Sequence, residues 1–174
     1  MKKLVTHSTC ALALMAAGSA MAADPYVGGS VLFVDAEFQE FSEEASLTGI
    51  TGRLGSMLND NIGAEVRVTL GVGDDSIFSG LVDVELNSMI GGYMKAGLPV
   101  GDNFFPYAVL GFTRSELEFS GFGSDSDSET DVSYGFGADV SLDRKLSLNV
   151  EYMNYYDKDG VEISGFSIGI ASKI

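Results

Sequence analysis

Three cations and five acids fall at strand-like spacings along the chain: Arg53, Arg67 and Lys95 against Glu65, Asp83, Glu85, Asp139 and Glu151. Carboxylates held close together can work as general acid and base, because burial and like charge push their proton affinities apart. With cations in reach, the same groups form ion pairs, and buried charges persist when they are paired and hydrogen-bonded. Glu65 and Arg67 stand two residues apart, which puts both on one face of a strand. These residues are therefore read as a structural ion network enclosed by strands. The functional alternative is a rearrangeable gate over a narrow water path.

The other reactive side chains cluster at the start of the chain. Cys10 is the one cysteine and His7 the one histidine. Lys2 and Lys3 precede an apolar stretch from Cys10 to Ala17, and Ala20-Met21-Ala22 ends in the small-x-small pattern of a cleavage site. The stretch is shorter than the roughly 20 residues of a helical anchor. Residues 1–22 are thus expected to be a signal peptide, cut just before Ala23 or Asp24, with 23–174 as one domain. Its removal takes away Lys2 and Lys3 and leaves 8 basic and 25 acidic side chains, a formal charge of −17. A mature chain without thiol or imidazole has no disulfide, no Cys/His zinc site and no Ser-His-Asp triad. No cofactor and no catalysis are expected. The acidity also excludes a nucleic-acid partner, since phosphate backbones require a positive surface.

The elements that position the charges show an apolar period of two. Ile62, Ala64, Val66, Val68, Leu70 and Val72 alternate with Gly63, Glu65, Arg67, Thr69 and Gly71. The alternation recurs over 82–95, 132–142 and 146–153, and strands are also predicted at about 26–35, 48–58, 104–115 and 161–173. Each approaches or exceeds the roughly 9–11 residues that a tilted strand needs to cross a bilayer. In the last stretch Val161 and Ile163 are out of phase with Phe166, Ile168 and Ile170, which predicts a bulge or a misplaced strand start. Short turns at 59–61, 99–103 and 143–145 alternate with longer connections at 36–47, 73–81 and 116–131 and a shorter one at 157–160. The predicted fold is all-β: an eight-stranded antiparallel up-and-down transmembrane β-barrel, with short turns on the periplasmic side and loops outside.

Alternation alone leaves open a soluble periplasmic ligand-binding barrel, which would turn its apolar face inward. Glycine decides between the two. Gly55, Gly63, Gly71, Gly91, Gly97, Gly111, Gly135, Gly137 and Gly169 share the polar face. Glycine weakens a solvated strand but makes room on the crowded inner wall of a small barrel. Tyr26, Phe33, Phe104, Phe105, Tyr107, Tyr152, Tyr155 and Tyr156 lie near strand ends, where aromatic belts at the headgroup level are expected.

Residues 35–44 carry five acids and no base, and 116–131 carry six acids and no base. These segments read as a solvated rim available to an extracellular ligand. Asp125, Asp127 and Glu129 open like a calcium loop, but Thr130 and Phe136 stand where glycine and glutamate are required, so the motif fails.

Tyr26-Val27-Gly28-Gly29, Pro106-Tyr107-Ala108-Val109-Leu110-Gly111-Phe112, Tyr134-Gly135-Phe136-Gly137-Ala138 and Gly165-Phe166-Ser167-Ile168-Gly169-Ile170 are patterning motifs spread over the chain. On these the chain resembles the small outer-membrane beta-barrel proteins of the OmpA-like/OmpX-like superfamily, over about 26–174. The resemblance implies insertion into a Gram-negative outer membrane by the barrel-assembly machinery, with outer-membrane lipids and lipopolysaccharide as surroundings. It implies a structural or surface-interaction role in envelope integrity or adhesion, with a narrow channel for small solutes or ions as the alternative. Barrels of this size that modify lipid A use a histidine, which the expected mature chain lacks. The chain ends in Ile174, where the family commonly ends in phenylalanine.

Overall fold

The computed structural model of the protein describes residues 24–38, 43–72, 74–77, 82–120, 124–158 and 161–174. The expected signal peptide lies outside these. The strands are β1 (Asp24–Phe38), β2 (Glu43–Met57), β3 (Ile62–Gly71), β4 (Asp74–Ile77), β5 (Val82–Gly97), β6 (Phe104–Ser120), β7 (Ser124–Ser141), β8 (Leu146–Lys158) and β9 (Val161–Lys173). Neighbours in the chain pair antiparallel except β3 and β4, β1 also pairs with β9, and β3 pairs with β5. Eight strands therefore close on themselves as an up-and-down barrel. The four-residue β4 continues β3 upward in the same place in the ring, pairing with the upper part of β5 and lying against β2.

Both ends of the described chain lie at the short-turn end, where the Ile174 amide donates to the Pro25 carbonyl at 3.0 Å. Two of the turns are pinned in the same way. The Asn59 side-chain oxygen accepts from the amides of Asn61 and Ile62, both at 2.9 Å. Asp143 accepts from Lys145 at 2.7 Å and from Leu146 at 2.8 Å. Those two amides hold the Asp143 carboxyl below its ordinary range. Its grip on the turn is therefore full above the ordinary carboxylate pKa and is lost as pH falls through the depressed one. Asn59 does not titrate.

At the other end the strands run further than their apolar period. Residues 36–47 and 116–131 were expected as loops, yet β1–β2 pairing continues to Phe38↔Glu43 and β6–β7 pairing to Ser120↔Ser124. The acids interrupt the hydrophobic alternation without interrupting the backbone ladder, because a strand in water needs no apolar face. At about 3.3 Å per residue, tilted by about 40°, β6 and β7 rise roughly 40 Å or more against an apolar band of about 25 Å. Their upper parts stand clear of the membrane.

The outer wall between these ends is apolar. Val31, Ile50, Leu54, Val68, Leu70, Ile90, Leu110, Phe112, Val132, Phe136, Phe166, Ile168 and Ile170 are all exposed. This is the face a soluble ligand-binding barrel would have turned inward. Several aromatics expected in the belts are instead in the lumen: Tyr26, Tyr107 and Tyr155 are buried, because each shares strand phase with the inner wall. Phe33, Phe104 and Tyr152 do face outward.

Two register shifts account for the irregular phases. One lies in β5 between Leu86 and Ser88. Leu86 is consequently buried while Ile90 and Met94 face out, although the sequence placed all three on one face. The other lies in β8 between Asn154 and Tyr156. β9 itself runs in unbroken register along β1 from Val161 to Lys173, so the bulge predicted there is absent. Ile163 simply points inward, 7% exposed, into an apolar cluster with Leu32, Val34, Leu47, Met89 and Met153.

Inner-wall glycines make room for the large rings. A Cβ on Gly55 would sit 2.5 Å from the Tyr26 ring, whereas one on Gly92, on the outer wall, would meet nothing within 4 Å. Gly55→Val is expected to lower stability by roughly 1–3 kcal/mol through overpacking, with Gly92→Val near neutral. Urea unfolding of both variants in detergent micelles checks this; equal midpoints would contradict the packing.

Candidate functional site: an ionic ring in the lumen

The lower half of the lumen, toward the short turns, holds the charges. Inward phase in β3 delivers Glu65 and Arg67, in β5 Lys95, in β7 Asp139 and in β8 Glu151. Arg67 stands at the centre. Its Nε donates to Glu65 Oε2 at 2.7 Å, its Nη2 donates to Glu151 Oε2 at 3.0 Å, and its Nη1 is ion-paired with Glu151 Oε1. Glu65 Oε1 lies 3.3 Å from Lys95 Nζ, and Lys95 reaches Asp139 Oδ2 at 2.8 Å.

Two residues outside the ion-network reading close the circuit. Asn149 Nδ2 donates to Asp139 Oδ1 at 2.7 Å and to the Tyr107 hydroxyl at 2.6 Å, and that hydroxyl donates to Glu151 Oε2 at 3.0 Å. The result is a ring running Glu151–Arg67–Glu65–Lys95–Asp139–Asn149–Tyr107 and back, drawn from five strands. Tyr26 of β1 donates to Glu65 from below. Aromatic faces cover the cations: the Arg67 guanidinium lies 4.6 Å from the Tyr93 ring centroid, and Lys95 Nζ lies 4.6 Å from that of Tyr107 and 5.0 Å from that of Tyr26. Such contacts stabilise a desolvated cation by about 2 kcal/mol.

Of the eight charged residues singled out in the sequence, five lie in this ring. Arg53 is buried beside it, 3% exposed, with no carboxylate within ion-pair distance among the described residues; its Nη2 donates to Ser30 Oγ at 3.2 Å. Asp83 and Glu85 lie in β5 beyond the shift at Leu86, and their side chains fall outside those described. Tyr26 and Tyr107 carried a visible sequence signal: both share strand phase with polar or glycine positions.

Above the ionic ring comes a layer of hydroxyls. Thr51 and Thr69 are hydrogen-bonded at 2.7 Å, Thr113 and Ser133 at 2.6 Å, and Tyr93 and Thr113 at 2.5 Å. The apolar cluster of Leu32, Leu47, Met89, Met153 and Ile163 closes the lumen above that. Below the ring a vestibule of about 360 Å³ opens among the short turns, with Tyr26, Arg53, Lys95, Phe105 and Asp139 on its walls.

A closed barrel with an apolar belt and a charged lumen has the form of a membrane-spanning β-barrel. The outer membrane protein beta-barrel domain matches residues 8–173. The chain belongs to this family. It is an outer-membrane protein, and its surroundings are the lipids of that membrane. Among solved structures it is similar to Ail, the attachment invasion locus protein of Yersinia pestis, seen in complex with the heparin analogue sucrose octasulfate. Identity is 13%, coverage is 87% of this chain and 98% of that one, and the TM-score is 0.67. It is also similar to Neisserial surface protein A, with 16% identity, 86% and 97% coverage and a TM-score of 0.65. The N-terminal barrel of Pseudomonas aeruginosa OprF shares 10% identity over 84% of this chain and 97% of that one, with a TM-score of 0.59. At these identities the likeness is one of fold. No curated protein sequence matches at a significant level.

Removing Arg67 would strand Glu65 and Glu151 in the lumen without their shared cation. Arg67→Leu is expected to lose about 3–5 kcal/mol, as for one partner of a buried pair, read as a lower urea midpoint in micelles. An unchanged midpoint would contradict the ring.

Proposed function

We propose that this barrel is a structural and surface-interaction protein of the outer membrane that performs no catalysis. The observation that carries this reading is the filled lumen: ionic ring, hydroxyl layer and apolar cluster succeed one another along the barrel axis. What the fold offers to the outside is the set of strands that continue beyond the apolar band. In this reading the ring holds the barrel in register, and the acids of 35–44 and 116–131 face the exterior.

Charge narrows the partner. Ail takes a polyanionic sugar analogue in its complex, but eleven acids without a base in the two segments of this chain oppose a polyanion. The partner we infer presents cationic or neutral chemistry, or meets the rim through divalent cations shared with lipopolysaccharide phosphates. Residues 1–22 serve, in the same reading, as the export signal, and the barrel-assembly machinery inserts the remainder. A narrow channel is the second reading, favoured by the vestibule that reaches up to Lys95 and Arg53.

Planar-bilayer recording of the purified protein separates the two. The surface-interaction reading predicts a silent bilayer, together with binding to host cells or extracellular matrix that is lost when the β6–β7 hairpin is shortened between Glu116 and Asp131. Reproducible discrete openings would overturn it in favour of the channel.

A further inference from the structure

Among the described residues the buried ring charges and Arg53 balance in number, but they are unevenly placed. Glu65, Asp139 and Glu151 are shared between Arg67 and Lys95 through four ion-pair contacts. Arg53 stands outside that sharing. Its guanidinium is buried, its Nε has no hydrogen-bond partner, and its Nη2 reaches the Ser30 hydroxyl. A buried guanidinium with an unused N–H is costly unless something accepts from it.

A small void lies against this group, at the level of the hydroxyl layer. It has room for a single atom-sized occupant, about 10 Å³. Its wall carries two guanidinium groups, Arg53 and Arg67, and the hydroxyls of Ser30, Thr51, Thr69 and Ser167. Among the described residues no carboxylate lines it. Of the two cations on the wall, Arg67 is paired with Glu65 and Glu151, so Arg53 supplies the positive charge that has no carboxylate partner among the described residues. The ionic ring lies to one side and the apolar cluster to the other, so water does not screen the field there.

We propose that this void is a halide site, occupied by a chloride ion that accepts from Arg53 and from the surrounding hydroxyls. The small size of the void favours a monatomic anion over a polyatomic one. The unpartnered Arg53 N–H and the hydroxyls on the wall, beside Met89 and Gly91, favour an anion over a neutral water. Arg53 also lines the vestibule below. The site does not depend on the surface role proposed above: a sealed barrel and a conducting one would hold the same ion.

Two measurements on the full barrel folded in detergent test this. The first is thermal unfolding in sodium chloride or sodium bromide against sodium gluconate at equal ionic strength. The site predicts a saturable, halide-dependent rise in Tm that Arg53→Met abolishes and Gly92→Ala retains. The second needs no variant: crystals grown in bromide are expected to show one anomalous peak within hydrogen-bond distance of the Arg53 guanidinium. Equal unfolding in halide and gluconate, or a water without anomalous signal at that position, would overturn the proposal.

Discussion

In hydrocarbon no backbone N–H or C=O can be left without a partner, and the rest of this structure follows from that constraint. It is met by two pairings, β1 with β9 and β3 with β5, which turn a run of hairpins into a ring without edges. A ring of eight strands is narrow, with room inside for packed side chains and little else. The inner wall must then combine large rings with missing Cβ atoms, as where the Tyr26 ring lies against Gly55. Any charge that enters such a space must find its partner there.

The interior is ordered along the axis. Charged side chains lie nearest the short turns, hydroxyls in the middle and apolar side chains toward the exterior. Each layer crosses several strands, so each ties distant parts of the sequence together: Arg67 and Glu151 are 84 residues apart. An ionic layer of this kind is weak as a source of net stability, since desolvation offsets much of the attraction. Its value lies in register. A strand that slipped by one residue would turn Arg67 or Glu151 to lipid and bring Val68 or Tyr152 inside. The layered lumen thus specifies one alignment of strands and leaves the outer parts of the hairpins free to vary in charge and length.

Much of this was legible from alternation. The face of each strand in β3, in β7 and in the lower half of β8 follows directly from period two, and so does the placement of Glu65, Arg67, Lys95, Asp139 and Glu151 on the polar wall. Phase was lost where the backbone inserts an extra residue. The shift at Leu86/Ser88 reverses β5, and no residue type in Leu86-Asn87-Ser88 announces it. Strand length beyond the membrane was also hidden, because Ser124 to Asp131 keeps its ladder with β6 without any apolar face to mark it. Tyr26 and Tyr107 are a third case. An aromatic near a strand end fits the headgroup belt and the lumen equally well by type, and only its phase against the neighbouring glycines distinguishes them. The hydroxyl layer had no signal of its own, since serine and threonine on an inner wall resemble those on any solvated strand.

The central claim is that polar side chains fill the inside and apolar ones meet lipid, with the boundary set by strand phase. The most direct test is contact between protein and acyl chains, read as intermolecular nuclear Overhauser effects to an isotope-labelled barrel in lipid nanodiscs. Acyl-chain contacts are expected at Val68, Leu70, Leu110, Phe112 and Phe136, and none at Arg67, Thr69, Thr113 or Glu151. Acyl contacts at the second group, or rapid water exchange across the first, would contradict the account.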